Sequence, residues 1–201
     1  MHGSCHPQGK ESLGHYPQKK TPYYKERSEQ ERAEFNETIN GLPKDAEIFY
    51  IDESGFEEDY SRNYGYSIKG ERVYGETFGT RFGRTSVIGA IDTNNNFLAG
   101  FAFKGYMNSD LFEGWLEHIF VPALKNPEKS VIILDNASHH PKDRIQSIAD
   151  EYGFRVIYLP KYSPDLNPIE LYWANIKNWL RLHLRSFGSF WEGFVRAFGV
   201  R

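Results

Sequence analysis

The sequence predicts an α/β chain whose mixed sheet carries helices on both faces. Three observations carry that reading. Residues 85–92 (TSVIGAID) and 96–103 (NFLAGFAF) are apolar strand signals separated by Thr93, Asn94 and Asn95, and so read as a hairpin. Residues 130–135 (SVIILD) form a continuous β-branched run, the pattern of a strand covered on both faces. Beyond the hairpin, helical and strand signals alternate, which calls for parallel crossovers beside the antiparallel strands.

The elements follow in order. Residues 1–22 are rich in Gly, Pro, His and Lys with no apolar period, and read as an unpaired tail. Residues 23–40 are a charged helical stretch whose only large apolar residues are Phe35 and Ile39. So thin a stripe suits a linker or docking arm, and Gly41-Leu42-Pro43 stops it. A short apolar run, EIFYID (47–52), ends in an acid, and a further strand signal follows at 64–68. Residues 108–121 have apolar positions at helical spacing, with Asn108 or Ser109 as cap and Pro122 as stop. A helix over 143–152 ends at Gly153, and residues 154–160 (FRVIYLP) are a second buried strand. Residues 168–184 are a strong amphipathic helix through Ile169, Trp173, Ile176 and Leu180, with Pro168 in its first turn and Asn167 as cap. A short helix ending at Gly199 closes the chain. The expected organisation is a tail and linker helix over 1–45, a catalytic domain over 46–185 and a tail helix over 186–201.

Composition narrows the function. The 201 residues carry a formal net charge of -3 and one cysteine, Cys5. A disulfide framework and a cysteine-based zinc site are excluded, and a reducing cytoplasm is expected. No apolar run approaches a membrane span and no signal-peptide core is present, so no membrane partner is expected. The acidic balance means that any nucleic-acid contact must be a local basic surface.

Three acids stand out by placement: Asp52 and Asp135 at strand ends, and Glu170 in the first turn of the last strong helix. Reactive groups in open α/β sheets gather beyond strand carboxyl ends. If the two strands are parallel neighbours, Asp52 and Asp135 emerge side by side. Clustered carboxylates repel, and an all-oxygen, highly negative set is what Mg²⁺ or Mn²⁺ takes. Two such ions suit in-line phosphodiester displacement. Glu53 is sent to the opposite face by strand alternation. Asp92 and Asp165 read as turn residues, and Trp173 and Trp179 as packed helix positions. No Gly-rich phosphate loop or nucleophile elbow competes.

Three strings add a resemblance: FYIDESG (49–55), IILDNASHH (132–140) and LPKYSPDLNPIE (159–170), with 34 residues between Asp135 and Glu170. Together they closely resemble the catalytic core of DDE transposases of the mariner superfamily, in its bacterial insertion-sequence branch. The resemblance implies a ribonuclease H-like fold, with Asp52, Asp135 and Glu170 as catalytic acids holding two Mg²⁺ or Mn²⁺ ions. It also implies metal-dependent cleavage of double-stranded DNA at element ends and strand transfer, typically into a TA dinucleotide. Asn136, His139 and His140 are expected to orient Asp135 or touch the scissile phosphate. Lys161 and Tyr162 are expected DNA-backbone contacts. Lys177, Arg181 and Arg185 either continue a basic track or form a solvated helix face. The family's N-terminal helix-turn-helix domains have no counterpart here. The chain then reads as the downstream part of a split transposase, with an upstream partner and a possible homodimer, or as a truncated remnant. The alternatives are a generic ribonuclease H-like nuclease and a non-catalytic regulator that binds DNA or full-length transposase.

Overall fold

The computed structural model describes residues 24–58, 68–72, 83–137 and 140–199. Within them five strands form one sheet in the order β3-β2-β1-β4-β5. Strands β1 (Glu47–Glu57), β2 (Arg84–Asp92) and β3 (Phe97–Lys104) make an antiparallel meander. Strands β4 (Ser130–Leu134) and β5 (Arg155–Tyr158) continue the sheet in parallel on the other side of β1. Five α-helices accompany it: α1 (Glu29–Asn40), α2 (Ser109–Trp115), α3 (Lys142–Tyr152), α4 (Pro168–His183) and α5 (Phe190–Ala197). The mixed α/β architecture is as the sequence predicts.

Strand periodicity builds two cores on opposite sides of the sheet. Phe49 and Ile51 of β1 point to one side and pack with Ile88, Ala90, Ile132 and Leu134 beneath α2 and α3. Phe56 points to the other and packs with Val87, Ile91, Trp173 and Phe194 beneath α4 and α5. Strand β4 is buried at every position, as its unbroken apolar run requires. The β2–β3 turn is made by Asp92, whose Oδ1 accepts the N–H groups of Asn94 and Asn96 at 2.8 Å each.

The structure departs from the sequence reading in several places. Strand β1 does not end at Asp52 but runs on to Glu57, because β2 keeps pairing with it as far as Glu57↔Arg84. The helix expected over 108–121 is α-helical only to Trp115, then π-helical over Leu116–Phe120 and 3₁₀ over Val121–Ala123. Asn108 caps it as expected, accepting the Leu111 N–H at 2.8 Å. The strand signal at 64–68 lies outside the described residues except for Ile68, which is exposed. The tail at 1–22 lies outside them as well.

Helix α1 is docked on the sheet end. Phe35 is buried against Ile133 and Leu159. Arg32 makes a bidentate pair with Asp165, at 2.9 and 2.7 Å. The guanidinium holds the Asp165 carboxyl below the usual carboxylate range.

Replacing Phe35 by Ala is expected to lower unfolding stability by about 3 kcal/mol. Arg32→Ala should cost about 1 kcal/mol, since the Asp165 end of the pair is exposed while the Arg32 side chain is mostly covered. Because the Asp165 pKa is lowered on folding, its contribution is present at neutral pH and lost as pH falls through the acid range. Urea melts of the wild type and Arg32→Ala should therefore converge on acidification.

Candidate active site

Parallel pairing brings the first two acids together. β1 and β4 pair in register up to Tyr50↔Ile133, and Asp52 and Asp135 each lie two residues beyond that last pair. The ladder with β4 stops there while β1 continues against β2, so the sheet opens into a cleft of about 520 Å³. Asp52, Asp135 and Glu170 all line it, with Asn136, Lys161 and Tyr162. Glu170 reaches it from the exposed first turn of α4.

Each acid is held differently. Burial first, and then the negative charge of Glu170, Glu53 and Asp135, push the Asp52 carboxyl up to about 8. Its Oδ2 accepts the indole N–H of Trp173 at 3.0 Å. That indole is itself gripped edge-on by Phe56 and Phe97 and packed on Tyr172. Opposite Asp52 in the ladder stands Gly89, where a Cβ would run into the Phe97 ring. The glycine lets Phe97 lie flat over β2, stacked on Tyr172 at 5.2 Å. Trp173 thus has a role beyond packing. Its place one turn after Glu170 was in the sequence, but its partner was not.

Asp135 is supported from the other face. His140 is buried, its ring tilted against that of Phe112 at 4.3 Å, with Nδ1 3.2 Å from Asp135 Oδ1 and Nε2 3.4 Å from Glu53 Oε1. Burial alone would lower the imidazole pKa, but the hydrogen bonds to Asp135 and Glu53 outweigh it and hold the ring at about 9. Glu53 does lie on the face opposite Asp52, yet it reaches the site through His140. No sequence signal linked the two. His139 lies outside the described residues.

The remaining predicted residues are spread around the rim. Asn136 does not bond Asp135. Its Nδ2 donates to the Leu159 carbonyl at 2.9 Å and its Oδ1 accepts from Lys142, tying the ends of β4 and β5 together. Tyr162 is half-exposed with φ +56°, and its ring lies 5.6 Å from that of Tyr24. Lys177 does not join a solvated face. It is partly buried with its ammonium 5.5 Å from the Phe56 ring. Desolvation lowers its pKa against the opposing pull of Glu170 and Asp52. Arg181 is a further turn along α4, near enough to repel Lys177, and Arg185 lies in the 3₁₀ turn after the helix.

Asn167 corrects the capping expectation. It stands at the cap position of α4, but the Glu170 N–H bonds its main-chain carbonyl at 3.1 Å and its side chain caps nothing. Its buried Oδ1 has no partner among the described residues, although the residue lines the cleft.

Chemically the cleft is a set of hard oxygen donors whose mutual repulsion favours a cation. Among the described residues no group of three or more His, Cys, Asp or Glu side chains is placed closely enough to hold a metal ion. The donors stand open around the cleft instead.

Comparison with known proteins gives the family and the fold. The model of the DDE superfamily endonuclease family matches residues 47–191. Among solved structures, the chain is similar to the Mos1 transposase paired-end complex with left transposon end (15% identity, TM-score 0.63, covering 93% of this chain and 65% of that one). It is also similar to the Mos1 mariner paired end complex with Mn (17%, 0.63, 93% and 64%). A simian T-cell lymphotropic virus intasome structure matches at 15% identity and TM-score 0.52, over 91% of this chain and 53% of that one. At these identities the likeness shows the ribonuclease H-like fold. The chain spans about 65% of the length of the Mos1 chain. Among curated proteins, none matches the chain in sequence.

In the presence of a chelator, stability should fall as pH rises. Asp52 and His140 both carry raised folded pKa values, so their contributions are full below the unfolded values and are lost on passing about 8 and about 9. Thermal melts in EDTA across this window should slope downward, and Asp52→Asn should flatten the slope up to about 8.

Proposed function

The chain belongs to the DDE superfamily endonuclease family, and we propose that it is the catalytic domain of a transposase, cutting DNA strands and joining the freed 3′-hydroxyl to target DNA. One observation carries the reading: Asp52, Asp135 and Glu170, from three separate elements, line a single cleft at the carboxyl end of the parallel strands. The two Mos1 structures hold a transposon end and Mn respectively, which supports DNA as substrate and a divalent ion as cofactor.

Asp52, Asp135 and Glu170 are the residues that would hold two Mg²⁺ or Mn²⁺ ions. When bound, such ions activate the attacking water or 3′-hydroxyl and stabilise the departing oxygen. The chain supplies the rest. Trp173 fixes one Asp52 oxygen and leaves the other for the cleft. His140 holds Asp135 against Glu53 from below the sheet. Glu170, exposed on α4, has the rotamer freedom to draw in once the negative charge is neutralised. Lys177 places a cation beside the acids, and Lys161 offers another at the rim for the strand's phosphates. Recognition of element ends is assigned to a helix-turn-helix partner, and the target to a TA dinucleotide, on the strength of the family resemblance.

Nicking of supercoiled plasmid with Mn²⁺ tests the proposal directly. The wild type should nick and Asp135→Asn should not; equal background from both would leave a regulator that binds without cutting. Mn²⁺ should also raise the melting temperature of the wild type, and much less that of Asp135→Asn. Trp173→Phe keeps the packed ring but loses the indole donor. It should slow nicking about tenfold, the worth of one hydrogen bond to a charged group, and lower unfolding stability by about 1–2 kcal/mol.

A further inference from the structure

Among the described residues that line the cleft, Tyr162 alone combines a positive φ with a side chain other than glycine's, and its ring is half-exposed. Its φ of +56° is a conformation that side chains with a Cβ rarely adopt. On either side the loop is anchored, with Leu159, Ser163 and Asn167 all buried. Between these anchors the ring of Tyr162 is 50% exposed and lines the cleft that holds the three acids. A glycine would satisfy this backbone without strain, so the strain is maintained by something the ring does.

Its surroundings say what that is. Tyr24, itself 54% exposed, lies 5.6 Å away at an interplanar angle of 42° and lines the same cleft. The Tyr162 face therefore already accepts a flat aromatic neighbour, loosely and at a tilt. Tyr24 lies five residues ahead of α1, whose Arg32 clasps Asp165 of that loop. Lys161, exposed beside Tyr162, places a cation where a backbone phosphate next to a stacked base would lie.

We propose that Tyr162 is a stacking platform for an unpaired DNA base beside the strand end held in the cleft. This rests on the reading of the cleft as a DNA-strand site and goes beyond a backbone contact. It assigns the ring to a base face, where recognition tolerates sequence and needs a locally unpaired nucleotide.

The test uses the full chain in an Asp135→Asn background with Ca²⁺, so that DNA is bound and not cut. The probe is a short duplex with a two-nucleotide unpaired end carrying 2-aminopurine. The parent and Tyr162→Phe should bind equally and quench the fluorophore. Tyr162→Ala and Tyr162→Gly should each lose quenching and about tenfold in affinity. Tyr162→Gly should do so without any fall in melting temperature, which separates the loss from misfolding. The salt dependence of affinity should be unchanged by Tyr162→Ala but shallower by about one unit in Lys161→Ala. If the parent binds and Tyr162→Ala matches it in affinity and quenching, the platform is overturned. A phenylalanine variant as weak as the alanine one also overturns it, in favour of a hydroxyl contact. If the parent itself binds no DNA, the strand-site reading falls and the platform with it.

Discussion

The parallel ladder between β1 and β4 is the constraint on which everything else depends. It stops at Tyr50↔Ile133 while the antiparallel ladder on the other edge of β1 runs on to Glu57↔Arg84. One strand is thus a parallel partner over Glu47–Tyr50 and an antiparallel one over Phe49–Glu57. The cleft is the gap left where the first role ends. Register is enforced by burial: Val131 to Leu134 are covered on both faces. A slip of one residue would turn Asp52 away from α4 and into the apolar layer beneath α2.

Gathering acids at that gap works against folding, and packing elsewhere offsets it. The Asp52 carboxyl is raised by burial and by three neighbouring carboxylates. The group that steadies it, the Trp173 indole, lies in an aromatic cluster with Phe56, Phe97 and Tyr172. Phe194 and Phe198 of the C-terminal segment close that cluster. A hydrogen bond at the site is therefore held by rings from β1, β3 and α4 and from the C-terminal segment. On the opposite face, His140 does similar work for Asp135 from beneath the sheet.

The loop from Leu159 to Glu170 couples the site to the N-terminal helix. Buried Ser163 and Asn167 fix its course, and Arg32 of α1 clips it through Asp165. This loop and Tyr24 both line the cleft. Helix α1 is therefore more than a connector: it packs on the sheet end through Phe35 and clips the loop that lines the cleft.

By itself the sequence determined whatever rests on local pattern. The buried run of β4, the Asp92 turn, the stops of α1 and α3 and the amphipathic face of α4 follow from periodicity and from side chains that bond their own backbone. The motif strings then pointed to the family. Only the tertiary structure decided the rest. The extension of β1 needs β2 beside it, and the π-helical end of α2 follows no local signal. Asn167 has a capping side chain that does not cap, and Glu53, set aside by alternation, meets His140 across the sheet edge. Trp173 and Asp52 stand 121 residues apart in the chain. Contacts of that kind are properties of pairs, and a periodic pattern read along one segment carries nothing about the segment it will meet.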